Sequence, residues 1–136
     1  MKHGFTLLEV LICLALAAIL ATLAVPAWQS VLERARRADA AAALYAVANA
    51  QERYRLVYGR YADAAAPAPP VGLGLATSER GWYGLRIERA DEHGFVASAR
   101  PGEGSPQRRD RDCRLLTIDQ AGTRNSAPGP PERCWP

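Results

Sequence analysis

The stretch GFTLLEVLICLALAAILATLAVPAW, residues 4–28, decides how this 136-residue chain is organised. It carries no charge from Val10 to Trp28, and as a helix of about 1.5 Å per residue that run would measure roughly 28 Å. This length nearly matches a membrane hydrocarbon core of about 30 Å. One carboxylate, Glu9, stands at the front of the run. An ionised side chain in such a segment costs at least about 2.5 kcal/mol, so we expect Glu9 to have a partner.

An ordinary secretory signal does not explain this stretch. A signal peptide has an apolar region of about 7–15 residues, followed by a cleavage site between small residues. The apolar run here is longer, and Glu9 interrupts its beginning. An uncleaved membrane anchor therefore fits the length better, although it leaves the charge of Glu9 unexplained.

The helical pattern continues beyond the apolar run. Residues 29–58 consist mainly of Ala, Leu, Arg, Glu and Gln, which favour helices. Their apolar members recur on two neighbouring stripes, which predicts an amphipathic helix over 29–59 that packs against the rest of the domain. The first stripe consists of Trp28, Val31, Ala35, Ala38, Ala42 and Tyr45. The second stripe consists of Leu44, Ala48, Tyr54 and Tyr58. Gly59 is the predicted stop of this helix.

The second half of the chain predicts a loop and an antiparallel sheet. Residues 60–81 are rich in Pro and Gly and form the predicted loop. Three strand-like segments follow, separated by a turn at 91–94 and a polar, loop-like segment at 100–112. The predicted strands are 82–90, 95–99 and 114–119, with a turn at 119–122 before a proline-rich tail. A sheet of three or four strands laid on the amphipathic helix makes the fold class α+β.

The charge and the cysteines exclude some classes of protein. The chain has 17 basic and 14 acidic residues, a balance that does not by itself indicate a nucleic-acid binder. Cys13 lies in the apolar run and is expected to pack as a small hydrophobe. Cys113 and Cys134 lie near the carboxyl end, and without a CxxC motif or clustered histidines they do not indicate a zinc site. In a chain that crosses a membrane, they indicate a disulfide formed in an oxidising compartment.

Gly4, Phe5, Thr6 and Glu9, followed by the apolar run, resemble the prepilin signature of the type IV pilins and their relatives. In that family a membrane peptidase cuts after the glycine, and the new terminal residue is N-methylated. The resemblance implies a leader peptide of residues 1–4, cleavage between Gly4 and Phe5, and N-methylation of Phe5. It also implies the type IV pilin fold, in which a long N-terminal helix packs on a small antiparallel sheet.

The same resemblance implies an organisation and a location. Residues 5–28 would be the transmembrane and assembly half of the helix, and residues 29–136 the globular domain, with the sheet and disulfide loop in 82–136. The protein would be a single-pass inner-membrane protein with a periplasmic carboxyl-terminal domain, and part of an extracellular pilus after assembly. Its implied partners are other pilin subunits, the prepilin peptidase and the inner-membrane pilus assembly machinery.

The resemblance also implies a partner for Glu9, which is therefore the candidate assembly residue. After cleavage the amine of Phe5 is a cation one helical turn before Glu9, so a contact within the chain is possible. In the family's model of a growing filament, the carboxylate instead pairs with the terminal amine of a neighbouring subunit.

The segment CRLLTIDQAGTR, with CW near the end of the chain, resembles the carboxyl-terminal region of minor pilins. There a disulfide, here Cys113–Cys134, closes a loop around the last strands. We therefore predict a minor pilin of a type IV pilus. Two alternatives share the amino-terminal half, namely a DNA-binding competence pilin and a type II secretion pseudopilin. The major pseudopilin type usually has a calcium loop in place of the disulfide, and the sequence has no acidic Dx[DN] cluster.

Four arginines beside Cys113 form a candidate nucleic-acid site, and two aspartates are interleaved with them. The arginines are Arg108, Arg109, Arg111 and Arg114, and the aspartates are Asp110 and Asp112. Arginines in such a cluster contact DNA phosphates in many proteins. Because opposite charges alternate here, a solvated polar loop is the favoured interpretation, and nucleic acid is left as an unsupported partner.

The sequence does not predict an enzyme. His3 lies in the leader and His93 in a predicted turn, so no set of nucleophile, base and orienting group can be assembled. No cofactor or metal is expected. Trp82 and Trp135 are predicted packing residues, and Tyr45, Tyr54 and Tyr58 are predicted core residues.

Overall fold

The computed structural model describes residues 6–136, apart from the side chains at positions 23, 26 and 27. The chain divides into two compact units, Met1–Leu32 and Glu33–Pro136. The elements are α1 (Leu7–Tyr58), β1 (Tyr83–Ala90), β2 (Phe95–Pro101), a 3-10 helix (Pro106–Arg109), β3 (Cys113–Asp119), β4 (Arg124–Pro128) and α2 (Pro131–Cys134). The predicted α+β class, a long N-terminal helix with an antiparallel sheet, is confirmed.

In the first unit, α1 begins directly after Thr6. The Glu9 amide donates to the Thr6 side-chain hydroxyl at 3.3 Å, and the Val10 amide donates to the Thr6 carbonyl at 3.3 Å. Thr6 therefore caps the first turn of the helix. Many large apolar side chains of this unit are exposed, including Leu7, Leu8, Leu11, Ile12, Leu14, Leu16, Ile19, Leu20 and Val25. Over the described residues, none of the helices has the length and apolar character needed to cross a membrane.

In the second unit, one face of α1 is buried in a core that it shares with the sheet. Five of the buried residues recur three or four positions apart, which is the spacing of one helical face. They are Ala40, Leu44, Val47, Gln51 and Tyr54, and Ala41 and Ala50 are buried beside them. The helix ends where Gly59 adopts φ 72°, and the Gly59 amide donates to the Arg55 carbonyl at 2.9 Å. A left-handed glycine after the last turn is a common helix stop.

One predicted stripe of α1 is exposed instead of buried. Its members are Trp28, Val31, Ala35, Ala38, Ala42 and Tyr45, and the prediction that they pack in the core was wrong. On the second stripe Leu44 and Tyr54 are buried and Ala48 is half-buried, whereas Tyr58 is exposed. The reason is that residues 38–43 carry alanine at nearly every position. Apolar groups then lie on all faces of the helix, and periodicity does not select the buried one.

The four strands form one antiparallel sheet in the order β1-β2-β3-β4. Leu85 faces Ala99, and Ala99 faces Leu116, so these side chains share the core side of the sheet. Strand β4 has the sequence RNSAP, in which apolar and polar residues do not alternate. The sequence therefore predicted three or four strands instead of a definite number. Strand β2 continues past the predicted end at Ala99 and includes Arg100.

The loop of residues 60–81 has no helix or strand of its own but is held against α1 by side chains. Gln51 is fully buried; its Nε2 donates to the Ala62 carbonyl at 2.8 Å, and its Oε1 accepts from the Ala62 amide at 2.8 Å. The Tyr54 hydroxyl donates to the Pro70 carbonyl at 2.7 Å. These side chains satisfy buried backbone groups that have no strand or helix partner.

Candidate functional site

Of the predicted processing and assembly residues, Glu9 lies within the described part of the chain, whereas Gly4 and Phe5 lie outside it. Glu9 is exposed in the first turn of α1. The spacing Thr6-x-x-Glu9 is also that of a capping box, in which the acidic side chain reaches back to the start of the helix. One half of that box is present, namely the hydrogen bond from the Glu9 amide to the Thr6 hydroxyl. This bond uses the backbone amide of Glu9 and not its carboxylate, so a capping role of the side chain is an alternative that the assembly test must separate.

The second group of predicted site residues surrounds the disulfide. Cys113 begins β3, Cys134 ends α2, and the two buried residues form the predicted disulfide with their Cα atoms 5.3 Å apart. The enclosed segment contains β3, β4 and α2. Gly129 lies at a close approach, because a Cβ at this position would be 2.8 Å from the Asp112 carbonyl oxygen. The disulfide therefore holds the last strand and the short helix against the start of β3.

The short 3-10 helix places the first two arginines of the cluster. Ser105 caps it, because the Ser105 hydroxyl accepts from the Gln107 amide at 3.2 Å, and Pro106 occupies the first helical position. Arg108 and Arg109 follow on this helix and are both exposed. The helix ends at Arg109, and the amide of the following residue, Asp110, donates to the Gln107 carbonyl at 3.1 Å.

The two interleaved aspartates have partners outside the cluster. Asp110 is buried, and its Oδ2 accepts from Nε of Arg37 at 2.6 Å and from Nε2 of Gln107 at 2.7 Å. Asp112 is more exposed and pairs with Nη2 of Arg133 at 2.8 Å. The two aspartates are therefore not paired with the arginines of the cluster, because the fold supplies each of them with another cation.

The arginines of the cluster are exposed, and two of them line a hollow together with an arginine from outside the cluster. Arg108 and Arg114 join Arg100 of β2 around a hollow of about 330 Å³, which Pro101 also lines. We call this surface the arginine face. Arg109 and Arg111 are exposed but do not line the hollow. Within residues 6–136, no carboxylate forms an ion pair with Arg108, Arg109, Arg111 or Arg114.

Glu88 is the carboxylate nearest to an arginine of this face. Its Oε1 lies 3.4 Å from Nη2 of Arg100 and accepts a hydrogen bond from the Ser98 hydroxyl. The hydrogen bond from Ser98, assisted by the charge of Arg100, holds the pKa of the Glu88 carboxyl below its usual value. Glu88 is therefore ionised at neutral pH and offsets part of the charge of Arg100, but not that of Arg108 or Arg114.

A buried tyrosine lies beside the Arg37–Asp110 pair. Burial, followed by the negative charge of Asp110, raises the pKa of the Tyr83 hydroxyl. Tyr83 thus stays protonated at physiological pH and is a core residue rather than a base. Over the described part of the chain, no three His, Cys, Asp or Glu side chains are grouped so that they could hold a metal ion. The chemistry that this arrangement can perform is the binding of anionic groups on an exposed cationic surface.

The two tryptophans singled out in the sequence are engaged in packing, as predicted. Trp135 is buried, donates from Nε1 to the Asn125 carbonyl at 2.9 Å, and meets Tyr45 edge-on with ring centroids 6.0 Å apart. Trp82 lies under the guanidinium of Arg36, which is 5.2 Å from the ring centroid.

Three arginines of the site were missed by reasoning from the sequence. Arg100 was assigned to a loop, although the alternation of Val96, Ser98 and Arg100 continues the outward side of β2 and could have revealed it. Arg37 and Arg133 carry no local signal, since their partners Asp110 and Asp112 are distant in sequence. Only the folded chain brings them together.

Comparison with known families gives two matches. Residues 26–117 match the family described as type IV minor pilin ComP, DNA uptake sequence receptor. Residues 1–25 match the prokaryotic N-terminal methylation motif. No curated protein sequence matches the chain.

Two solved structures are similar in fold. The non-core minor pilin PilV of Neisseria meningitidis superposes with a TM-score of 0.57 at 17% sequence identity, over 76% of this chain and 94% of that one. A type IV pilin from Shewanella oneidensis superposes with a TM-score of 0.50 at 26% identity, over 76% of this chain and 98% of that one. The long N-terminal helix with a four-stranded antiparallel sheet is thus the pilin fold.

Proposed function

The chain belongs to the family of type IV minor pilins, and we propose that it is cut between Gly4 and Phe5, methylated on Phe5 and assembled into a pilus through its N-terminal helix. The observation that carries this proposal is the match of residues 1–25 to the N-terminal methylation motif. That motif implies membrane anchoring followed by assembly into a pilus. Glu9 is the proposed assembly residue.

The proposed location follows from the same motif. Before assembly, residues 5–28 would hold the protein in the inner membrane, with residues 29–136 in the periplasm. After assembly this domain would be displayed on an extracellular pilus. The proposed partners are other pilin subunits, the prepilin peptidase and the inner-membrane assembly machinery. The role is structural, and no cofactor is required.

The processing proposal is tested by the intact mass of the protein from membranes of cells with and without the prepilin peptidase. We expect the loss of residues 1–4 and the gain of one methyl group only when the peptidase is present. A Gly4→Val variant is the matched control, because a branched side chain before the scissile bond should keep the full mass in both strains. An unprocessed wild-type chain in both strains would contradict the proposal.

A second function, the capture of DNA, is supported by the arginine face. Arg100, Arg108 and Arg114 surround one hollow, and the two aspartates of the cluster are paired elsewhere. Guanidinium groups bind phosphate oxygens in a bidentate manner, which suits them to a nucleic-acid backbone. The description of the matched family as a DNA uptake sequence receptor agrees with this assignment. A secretion pseudopilin would not be expected to bind DNA in this way.

The variant Arg108→Gln/Arg114→Gln tests this second function in the full chain, purified in a nonionic detergent. The slope of log K against log salt for a duplex is expected to become shallower by about 0.9 for each phosphate that the variant no longer neutralises. The control Arg53→Gln/Arg60→Gln removes the same charge from exposed arginines at the far end of α1 and after it. An equal loss of affinity and slope in both variants would mean that the net charge alone attracts DNA, and would refute an arginine-specific site.

A further inference from the structure

One guanidinium on α1 contacts both the end of the 3-10 helix, which carries Arg108, and the short helix α2. Nε of Arg37 donates to Oδ2 of Asp110 at 2.6 Å, directly after the 3-10 helix. Nη1 of Arg37 donates to the carbonyl oxygen of Arg133 in α2 at 3.0 Å. A single side chain therefore ties the 3-10 helix and the short C-terminal helix to α1.

The contact with the 3-10 helix is buried and reinforced. The side chain of Asp110 is 3% exposed and that of Arg37 is 14% exposed. Nε2 of Gln107 donates to the same Asp110 oxygen at 2.7 Å and lies 3.4 Å from the Glu33 carbonyl of α1. The inner side of the 3-10 helix is thus held by Gln107 and Asp110, which leaves Arg108 and Arg109 on its exposed side.

The second aspartate is withdrawn from the arginines in a similar way. Asp112 pairs with Arg133, whose carbonyl oxygen is the one that Arg37 contacts. The neighbouring Cys134 is joined to Cys113 by the disulfide. In the mixed-charge segment 108–114, the two carboxylates are therefore paired with Arg37 and Arg133 from other elements. The arginines of the segment are exposed to solvent.

We propose that Arg37, acting through Asp110, is a positioning residue of the arginine face. It holds the 3-10 helix so that Arg108 shares the hollow with Arg100 and Arg114, and it removes the charge of Asp110 from that surface. The Arg37 side chain is 14% exposed and its Nε and Nη1 are already bonded to Asp110 and Arg133, so we assign it a positioning role and not a phosphate contact. This inference rests on the proposed DNA binding and assigns to it a residue that makes no contact with the nucleic acid.

The physical reason lies in the cost of a buried charge without a partner. If Arg37 is replaced by a neutral residue, the Asp110 carboxylate remains in a site that excludes water. The 3-10 helix must then shift until water reaches this carboxylate, which moves Arg108 away from the hollow and adds a negative charge beside it. Neutralising Asp110 at the same time removes the reason for the shift.

The test compares full-length variants, purified in nonionic detergent, for affinity to a DNA duplex over a range of salt concentrations. Arg37→Gln is expected to weaken binding about tenfold more than Arg53→Gln, which removes the same charge from an exposed site. The slope of log K against log salt should become shallower by about 0.9, the value for a single neutralised phosphate. Affinity in Arg37→Gln no lower than in Arg53→Gln would overturn the inference.

A rescue experiment distinguishes a positioning role of Arg37 from an effect of the net charge of the protein. Arg37→Gln/Asp110→Asn and Arg37→Gln/Asp63→Asn both restore the wild-type net charge, but only the first neutralises the buried carboxylate; Asp63 is exposed. We expect wild-type affinity and slope in the first double variant and continued weakness in the second. Equal rescue by both would overturn the inference.

Three further results complete the test. If circular dichroism shows that Arg37→Gln is unfolded, the inference is tested on the folded Arg37→Gln/Asp110→Asn variant. Wild-type binding by this double variant would support the inference, and weak binding would overturn it. A wild-type chain without affinity for the duplex, or one unaffected by Arg108→Gln/Arg114→Gln, would overturn the proposed DNA binding and this inference with it. If Arg108→Gln/Arg114→Gln loses binding while folded Arg37→Gln binds normally, the inference about Arg37 is overturned but the proposed DNA binding is not.

Discussion

Substituting Glu9 by valine should leave cleavage after Gly4 largely intact and lower incorporation into pili roughly 100-fold or more, since loss of one partner of a buried ion pair costs about 3–5 kcal/mol. The proposed partner is the terminal amine of Phe5 in a neighbouring subunit. Valine would leave this amine without a counter-charge in a water-poor filament core. The measurement is the amount of the protein in sheared pili relative to membranes, with the processed mass checked in both fractions.

The matched control for this prediction is Glu9→Gln. Glutamine also serves at the third position of a capping box, so this variant could still make a capping contact through its side chain, and its backbone amide keeps the hydrogen bond to Thr6. It lacks the negative charge, however, and should fail to assemble nearly as completely as the valine variant. Incorporation of Glu9→Gln at the wild-type level would refute the ion pair and leave Glu9 as a helix-capping residue.

The second large effect is expected on the stability of the globular unit. Cys113 and Cys134 are 21 positions apart and enclose β3, β4 and α2. In the chain-entropy model, closing a loop of this size contributes about 3 kcal/mol. The variant Cys113→Ser/Cys134→Ser should therefore lower the melting temperature of the unit by roughly 10–20 °C. Thermal unfolding of the full chain in detergent, followed by circular dichroism, measures this shift.

Cys13→Ser provides the control for the disulfide prediction. Cys13 is a free, exposed cysteine in the other compact unit. Its replacement is expected to change stability by no more than about 0.5 kcal/mol. A reducing agent added to the wild-type chain should reproduce the effect of the double variant. Identical melting of the double variant and the wild-type chain would show that packing around β4 and α2 holds this region without the cross-link.

The α+β class could be predicted from the sequence because each of its signals is local. Thr6, Glu9 and the apolar run appear in register within one short stretch, and helix-forming residues continue to a glycine stop at Gly59. Strands β1 to β3 carry an apolar period or a short apolar run between turns. Cys113 and Cys134 were predicted to pair because the apolar run indicates a chain that reaches an oxidising compartment, because no metal motif is present, and because the tail resembles that of minor pilins. None of these inferences required knowledge of a distant contact.

The buried face of α1 and the identity of the fourth strand were decided only by tertiary structure. Alanines around the whole circumference of α1 give the helix no preferred apolar side, so the loop and the sheet select Ala40, Leu44 and Val47. Strand β4 has no apolar period; it exists because β3 offers it a hydrogen-bonding edge and the disulfide holds the following segment nearby.

At the arginine face, too, part of the answer came from the sequence and the rest from long-range contacts. In the sequence, cations and carboxylates are interleaved between Arg108 and Arg114, and this pattern favoured a solvated polar loop over a nucleic-acid site. The folded chain shows how these charges are paired, because Arg37 lies 73 positions from Asp110 and nonetheless forms a buried pair with it. Ion pairs have no sequence period: a carboxylate takes the cation that the packing of other elements brings within reach, and only the folded chain shows which charges remain exposed.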